Sequence, residues 1–136
     1  MLTLYGSAGS GSAAVELALQ SCAVPCIAAN CYAAIGVIDC PERWCVEGDQ
    51  VPLDGVREGA RRRLHACWTV FADQFGAALC QARDEPGALD FLAVVVSRWS
   101  GARAHLTAHR LALAATLQRI QSHPNVAPVW ARHGPN

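Results

Sequence analysis

Apolar residues recur at every third or fourth position between about residues 56 and 75, and charged residues occupy many of the positions between them. This spacing predicts one amphipathic helix, because side chains with that period line one side of an α-helix. The predicted buried stripe consists of Val56, Ala60, Leu64, Cys67, Trp68, Phe71 and Phe75. The helix is the strongest element that the pattern predicts.

The polar face of this helix indicates how the helix begins and what stabilises it. A polar loop over residues 46–55 precedes it, which places Asp54 at the predicted N-cap. Glu58 and Arg62 have the i, i+4 spacing that favours an ion pair. The run of arginines at 61–63 is expected to form a solvated face beside Glu58, because the formal net charge of the chain is zero.

Two more helices are predicted on either side of this one. Residues 25–38 form the first, which Pro25 opens and the Asp-Cys-Pro sequence at 39–41 ends. Residues 91–99 form the second, in which Ser97 and Arg98 are the only polar residues. We expect this second helix to be buried on nearly all sides at the centre of a bundle.

The two ends of the chain carry shorter elements. Residues 2–5 are a predicted strand, which a loop of small residues at 6–12 connects to a helix at 13–22. A last helix is predicted at about residues 108–121, and Pro124 starts a terminal helical turn. The residues expected to face inward are Leu113, Leu117 and Ile120 in the helix, and Val126, Val129 and Trp130 in the turn. The predicted class is mainly α.

The amino-acid composition limits the classes of function that the chain can have. The 136 residues are 52% hydrophobic, which predicts one domain with a true core rather than a disordered chain. Arginines and acidic residues balance at eleven each, and no lysine is present, so nothing draws the chain as a whole to nucleic acid. An uncharged stretch at 17–38 is long enough to cross a bilayer, but it contains Pro25 and Asn30 and lacks a basic flank. Two short buried helices without membrane contact are the preferred interpretation.

The chain contains seven cysteines, at positions 22, 26, 31, 40, 45, 67 and 80. Disulfide scaffolds are typical of small, loop-rich secreted proteins, and no basic segment of the signal-peptide type opens this sequence. The early spacings contain no Cys-x-x-Cys pair of the kind that structural zinc sites use. We therefore expect reduced, half-buried thiols and a cytoplasmic location.

Two features could carry chemistry by residue type alone. The glycine-rich loop at 6–12 precedes a helix N-terminus and should favour an anion, but it lacks the lysine of a Walker A motif and the glycine order of a dinucleotide-binding motif. His105 and His109 share one helical face, yet no Glu accompanies them as in a zinc-protease motif. A solvated basic face is preferred there over a metal site.

Three stretches carry a resemblance to a known family. Residues 2–19, with the sequence Leu-Thr-Leu-Tyr-Gly-Ser-Ala-Gly-Ser-Gly-Ser at their start, resemble the first strand, active-site loop and first helix of a bacterial glutathione S-transferase. Residues 86–99 are similar to the buried central helix of that family, with Asp90 of its capping box retained and Gly87 in place of the hydroxyl residue. Residues 113–130 are similar to the last helix and terminal turn of the family.

The resemblance implies a shortened member of this family. Residues 1–24 would be a remnant of the thioredoxin-like, glutathione-binding domain, and residues 25–136 would be the helical domain. The later strands and helices of the thioredoxin-like domain are missing, together with the cis-proline segment and the Glu-Ser pair that hold glutathione. Exchange of the unpaired strand at 2–5 in a homodimer is one way to satisfy its backbone groups.

The resemblance also implies where the chemistry would lie. By position, Ser10 matches the serine that stabilises the glutathione thiolate, with Ser12 as the alternative, and both are the candidate catalytic residues. Tyr5, Ser7 and Gly11 are the candidate glutathione contacts. A core position for Tyr5 and turn or capping roles for the serines remain open as alternatives.

Two functions follow from the resemblance, and both remain open. In the first, the protein conjugates glutathione to a small hydrophobic electrophile, which side chains from residues 32–38 would face. In the second, it is a transferase-like binding or interaction module without catalysis, which has lost its glutathione site. Neither involves nucleic acid or a membrane.

Overall fold

The computed structural model describes residues 27–46, 52–80 and 85–133. Their helices are α1 (Ile27–Asp39), α2 (Leu53–Cys80), α3 (Ala88–Val96), α4 (Ala102–His109), α5 (Leu111–Gln121) and α6 (Ala127–His133). Short 3₁₀ turns lie at Pro41–Trp44 and Trp99–Gly101. No strand occurs within these residues, so the part of the chain that can be seen is mainly α as predicted. The predicted strand at 2–5, loop at 6–12 and helix at 13–22 lie outside them.

Helix α2 organises the bundle. It packs along α1 on one side and against α4 and α5 on the other, and α3 packs on α5. The predicted stripe is confirmed, since four of its seven members are buried and the other three, Val56, Cys67 and Phe75, are half-buried. The buried apolar core consists of Cys31, Ala34, Ile38, Ala60, Leu64, Trp68, Phe71, Leu79, Ala93, Val94, Val96, Ala102, Leu106, Leu113, Ala114, Leu117 and Ile120.

Helix α2 extends beyond the prediction at both ends. It continues past Phe75 to Cys80, because Leu79 prolongs the apolar stripe by one more turn and is buried. At its start, the carbonyl of Pro52 accepts hydrogen bonds from the amides of Gly55 and Val56, at 2.9 and 3.4 Å. The predicted N-cap at Asp54 is wrong, since Asp54 lies within the first turn and its carboxylate accepts a hydrogen bond from Arg57 at 3.0 Å.

The ion pair on the polar face forms with a different arginine from the one predicted. Arg61, rather than Arg62, donates to Glu58, at 2.7 Å across an i, i+3 spacing. Both side chains are exposed to solvent, and pairs of this type contribute less than about 1 kcal/mol. The solvated character predicted for this face therefore agrees with the structure.

Helix α3 contradicts the expectation of burial on nearly all sides. Ala93, Val94 and Val96 are buried, but Phe91 is 43% exposed and Val95 is 40% exposed. Phe91 and Val95 lie four residues apart and share the face directed away from the core. An all-apolar sequence offers no polar residue that would mark this outer face in advance.

The start of α3 agrees with the capping prediction. The amide of Gly87 donates to the Asp90 carboxylate at 2.6 Å, which is the half of a capping box that needs no hydroxyl. Glycine supplies no side-chain acceptor for the other half, so the amides of the first turn lack that cap.

The predicted helix at about 108–121 corresponds to α5, which begins at Leu111, and the prediction lacks the helix before it, α4, which ends at His109. Arg110 has a non-helical backbone (φ −143°, ψ 57°) and separates α4 from α5. Its guanidinium donates to both carboxylate oxygens of Asp73 in α2, at 2.7 and 3.0 Å. Its carbonyl accepts from the amides of Leu113 and Ala114, which gives α5 its first hydrogen bonds. A bond to a residue 37 positions away leaves no local signal in the sequence.

The remaining predictions for the C-terminal region hold in part. The inward positions of α5, Leu113, Leu117 and Ile120, are buried as predicted. The terminal helix begins at Ala127 rather than at Pro124, after a turn whose residues bond back to His123. Val129 is exposed on it, whereas Trp130 is half-buried against the core.

The four cysteines that the structure describes are free thiols: Cys31, Cys40, Cys45 and Cys67. Cys31 is fully buried, and the other three are half-buried. Burial, and secondarily the neighbouring Cys67, raise the pKa of the Cys31 thiol to about 12. None of the helices in the described ranges has the length and apolar character needed to cross a membrane.

We expect Cys31 to resist alkylation in the folded protein. With a pKa of about 12, only about one thiol in 10⁴ is ionised at pH 8, and the thiolate is the nucleophile. Iodoacetamide labelling followed by peptide mass spectrometry should modify Cys40 and Cys45 long before Cys31, and all three at similar rates in denaturant. Equal rates in the native protein would contradict the buried position of Cys31.

Candidate functional site

An open groove of about 620 Å³ lies between α1 and the 3₁₀ turn that follows α3. Its lining consists of Tyr32, Ile35, Gly36, Asp39, Arg98, Trp99 and Ser100. Apolar walls with a few polar groups are typical of small-molecule sites. The groove is therefore the candidate binding site among the residues that the structure describes.

The α1 wall follows from helical periodicity. Cys31, Ala34 and Ile38 face α2 and are buried, which leaves the positions at 32, 35, 36 and 39 on the adjoining face. Gly36 lies in the middle of this wall, and a Cβ atom at that position would meet nothing within 4 Å. A residue without a side chain thus keeps the middle of the groove wide.

The opposite wall is a turn with an unusual backbone. Ser100 has left-handed dihedral angles (φ 50°, ψ 34°), and Gly101 follows with φ 81°. A non-glycine residue in this region is strained by roughly 1–2 kcal/mol. The turn presents Trp99 toward α1, where its ring meets Tyr32 edge to face with the centroids 5.3 Å apart.

A hydrogen bond from α2 stabilises this turn. Nε2 of His65 lies 3.3 Å from the carbonyl oxygen of Ser100, to which it donates. The same ring lies 3.7 Å from the position that a Cβ on residue 101 would occupy. The His65 ring therefore contacts the strained turn directly.

Two arginines lie beside the turn. Arg98 stacks over Trp130, with its guanidinium carbon 5.1 Å from the ring centroid. Arg103 donates two hydrogen bonds to the buried Ser97 hydroxyl, at 2.7 and 3.2 Å, and one to the Val94 carbonyl at 3.2 Å. Burial, and then the charge of Arg98, lower the pKa of Arg103. The two positive charges are thus close enough to influence each other.

Three histidines form a row behind the groove. His65 and His105 stack with their centroids 4.6 Å apart, and His109 lies 4.7 Å beyond His105. The Thr69 hydroxyl donates to the carbonyl of His65 at 3.1 Å and accepts from Nε2 of His105 at 2.9 Å. The interpretation of His105 and His109 as a solvated face is wrong for His105, because its ring is half-buried between the other two.

The ring nitrogens of this row make hydrogen bonds to neighbouring groups. Nε2 of His65 donates to the Ser100 carbonyl, and Nε2 of His105 pairs with the Thr69 hydroxyl, whose own proton is directed to the His65 carbonyl. Within the described ranges, no three His, Cys, Asp or Glu side chains are arranged to hold a metal ion. The row instead connects α2 to α4 and to the turn that shapes the groove.

We expect the histidine row to make folding stability depend on pH. Burial, then His65, His109 and Arg110, lower the pKa of His105 in the folded state. The unfolded chain, with a pKa of about 6.5, therefore binds protons first as the pH falls. The contribution of His105 to folding stability should be fully present above pH 6.5. It should decrease as the pH falls from 6.5 through the lowered pKa that His105 has in the folded state. Melting temperatures at pH 7.5 and 5.5 measure this.

The matched variants for this prediction are His105→Gln and His109→Gln. His105→Gln should lose most of the pH dependence below 6.5, since the half-buried titrating group is gone. His109→Gln removes an exposed ring and should retain most of it. An unchanged pH dependence in His105→Gln would contradict the assignment of the effect to this ring.

The candidate catalytic residues Ser10 and Ser12, and the candidate glutathione contacts Tyr5, Ser7 and Gly11, lie outside the residues that the structure describes. The expected substrate-facing segment at 32–38 contributes Tyr32, Ile35 and Gly36 to the groove. Sequence reasoning did not identify Arg98, Trp99 and Ser100 as its other wall. The Ser-Gly pair at 100–101, directly after an apolar helix, is the signal that could have marked a turn there.

Comparison of the chain with protein-family models, with curated proteins and with solved structures gives no match.

Proposed function

We propose that the protein is a glutathione S-transferase-like protein that binds glutathione at the loop of residues 6–12 and a small hydrophobic electrophile in the groove. The observation that carries the proposal is the groove itself. It is lined by the Tyr32 and Trp99 rings and lies on the segment at 32–38 where the resemblance expects the second substrate.

In the proposed reaction, the hydroxyl of Ser10 donates a hydrogen bond to the glutathione sulfur. This bond, aided by the dipole of the helix predicted at 13–22, favours the thiolate at neutral pH, and the thiol proton passes to water. The thiolate attacks the electrophilic carbon of the second substrate and displaces its leaving group, which departs with the bonding electron pair. Ser12 is the alternative donor, and Tyr5, Ser7 and Gly11 are the proposed contacts to the rest of glutathione.

A non-catalytic binding module is the second candidate, and one observation favours it. Only fourteen residues separate the loop at 6–12 from the start of α1 at Ile27, which leaves no room there for the further strands of a thioredoxin-like domain. In this case the groove would bind its ligand without turnover.

Conjugation of glutathione to 1-chloro-2,4-dinitrobenzene tests the catalytic proposal. Ser10→Ala should lower kcat by about a hundredfold or more, as for the loss of one donor to a developing anion, and Ser12→Ala should retain activity. The opposite result would move the catalytic role to Ser12. Activity that survives in both variants would contradict the role of the two serines, whereas no activity in the wild type would contradict the catalytic proposal and leave the binding module.

A pair of glycine variants tests the groove separately. Gly36→Leu fills the open wall and should raise the KM for the electrophile without changing the KM for glutathione. Gly59→Leu is the matched control, because Gly59 is likewise an exposed helical glycine with open space at its Cβ position, but it lies in α2 away from the groove. Equal effects of the two substitutions would contradict the assignment of the groove.

A further inference from the structure

We propose that the stacked pair of His65 and His105 is an acid switch, which releases the turn at Trp99–Gly101 from α2 and so moves one wall of the groove at mildly acidic pH. The helical bundle stays folded in the released state. This inference concerns the regulation of the groove and rests on the proposed function only for its consequence, because the switch itself requires neither a ligand nor turnover.

The stacked rings tolerate one positive charge but not two. They are nearly parallel, at 14°, with their centroids 4.6 Å apart. Nε2 of His65 donates to the Ser100 carbonyl, and Nε2 of His105 pairs with the Thr69 hydroxyl, so an added proton enters either ring at Nδ1. Protonation therefore leaves both hydrogen bonds in place and changes the charge. Two imidazolium rings in this arrangement repel each other.

The groups nearest the pair increase this repulsion. His109 lies 4.7 Å beyond His105 on α4, and Arg110 follows at the start of α5. The carboxylate of Asp73, on α2, is already engaged by Arg110 at 2.7 and 3.0 Å. Burial, and then His65, His109 and Arg110, lower the pKa of His105. A fall in pH that charges both rings therefore acts against the packing of α4 on α2.

Other charged side chains near the pair do not compensate a second charge. Those closest to it along the chain are all arginines, at positions 61, 62, 98 and 103. Asp39, on α1, lies in the lining of the groove on the wall opposite the turn. Among the described residues, no carboxylate forms an ion pair with either ring. The doubly charged pair is thus relieved only by separation of the rings.

Separation of the rings moves the turn by either of two routes. The turn leads directly into α4, which begins at Ala102 and carries His105 in its first half. A shift of α4 away from α2 therefore carries the turn with it. Rotation of the His65 ring out of the stack instead breaks its hydrogen bond to the Ser100 carbonyl. Both routes end the contact between α2 and the turn.

The turn can relax once this contact ends. Ser100 has a left-handed backbone (φ 50°, ψ 34°), which is strained for a residue other than glycine. The bond from His65 holds its carbonyl in this conformation. Without that bond Ser100 can return to an unstrained region, and the adjacent Trp99 loses its edge-to-face contact with Tyr32, at 5.3 Å between centroids. One wall of the groove is thereby displaced.

Fluorescence of Trp99 tests the proposal on the wild-type protein. Emission spectra and acrylamide quenching are recorded at pH 7.5 and 5.0, and the same measurements on Trp99→Phe are subtracted to isolate the Trp99 signal. At pH 5.0 this signal should shift to longer wavelength and be quenched more strongly, because the ring has left Tyr32 for solvent. Far-UV circular dichroism at the two pH values should be the same, since the helices stay folded.

Three histidine variants assign the response to the stacked pair. His65→Ala removes the ring and its bond, so its Trp99 signal at pH 7.5 should equal that of the wild type at pH 5.0. His105→Gln cannot build the second charge and should show the neutral-pH signal at both pH values. His109→Gln is the matched control, because its exposed ring lies outside the stacked pair, and it should still respond to acid.

NMR titration measures the coupling between the two rings independently of Trp99. The ring signals of His105 should titrate at a higher pH in His65→Gln than in the wild type, because the neighbouring positive charge is absent. An unchanged midpoint would show that the rings do not sense each other, and this would overturn the switch.

The remaining outcomes are equally decisive. A Trp99 signal that is the same at both pH values, or a full acid response in His105→Gln, would overturn the proposal. A Trp99 change accompanied by loss of helix content would also overturn it, because acid would then unfold the bundle. The wild-type measurements decide this even if a histidine variant fails to fold. The tests of the proposed function are made at neutral pH with ligands, so each inference can fail without the other.

Discussion

Replacing Leu106 by alanine is expected to lower the free energy of unfolding by about 3 kcal/mol, within the range of about 2–5 for such substitutions. Leu106 lies in α4, is 0% exposed, and belongs to the buried core at the junction of α4 with α2 and α5. The variant loses the transfer free energy of the removed atoms and leaves a cavity between helices that cannot close freely. For a chain of this length, the melting temperature should decrease by roughly 10 °C.

Leu111→Ala is the matched control. Leu111 begins α5 only five residues away, yet 67% of it is exposed to solvent. The same substitution there removes little buried surface and should change stability by less than about 0.5 kcal/mol. Thermal and urea denaturation of the two variants measure the difference. A similar loss for both would contradict the packing of α4 into the core.

Ser97→Ala is expected to cost about 2 kcal/mol of unfolding free energy, because it removes the acceptor of a half-buried guanidinium. Ser97 is fully buried, and its hydroxyl accepts two hydrogen bonds from Arg103 while it donates one to the Val94 carbonyl. Alanine leaves Arg103 with the Val94 carbonyl as its one remaining described acceptor. The loss of unfolding free energy comes from the unsatisfied charge of Arg103 and not from the small volume of the removed hydroxyl group.

A double-mutant cycle isolates this effect. If the unpaired charge is the cause, adding Arg103→Met to Ser97→Ala should cost less than the sum of the two single changes. Thr107→Ala is the control, because its hydroxyl also bonds to a helix carbonyl but lies in solvent, so little change is expected. Strict additivity in the cycle would show that Ser97 and Arg103 act independently, contrary to the geometry.

The elements that the sequence predicts well are those with clear contrast between two faces. In α2, charged residues alternate with the apolar stripe, so both the helix and its buried side can be predicted from the sequence. In α3 nearly every residue is apolar, and the outward direction of Phe91 and Val95 depends only on which neighbours are present. The division between α4 and α5 depends on the bond from Arg110 to Asp73, which no local pattern encodes.

The same distinction applies to the groove. Its α1 wall follows from helical periodicity, because the positions that face α2 determine which ones remain outside. Its second wall requires Ser100, a non-glycine residue, to adopt a left-handed conformation that a hydrogen bond from His65 supports. That bond spans 35 positions, so tertiary packing rather than local preference shapes the site.

The groove and the histidine row are connected through this turn. His65 bonds to Ser100 on one side and stacks on His105 on the other. Loss of the His65 side chain would therefore remove support from the wall that carries Trp99. The shape of the groove and the stability of the bundle depend in part on the same ring.

Glutathione binding is the property on which the proposed function depends most directly, and a thermal melt measures it. The protein, kept reduced with dithiothreitol, is melted with and without millimolar glutathione, so that reduction of its cysteines is the same in both samples. At a hundred times its dissociation constant, a ligand adds about 2.7 kcal/mol to the stability of the folded state. The proposal predicts a cooperative melt that shifts to higher temperature with glutathione. A cooperative melt at an unchanged temperature would contradict it.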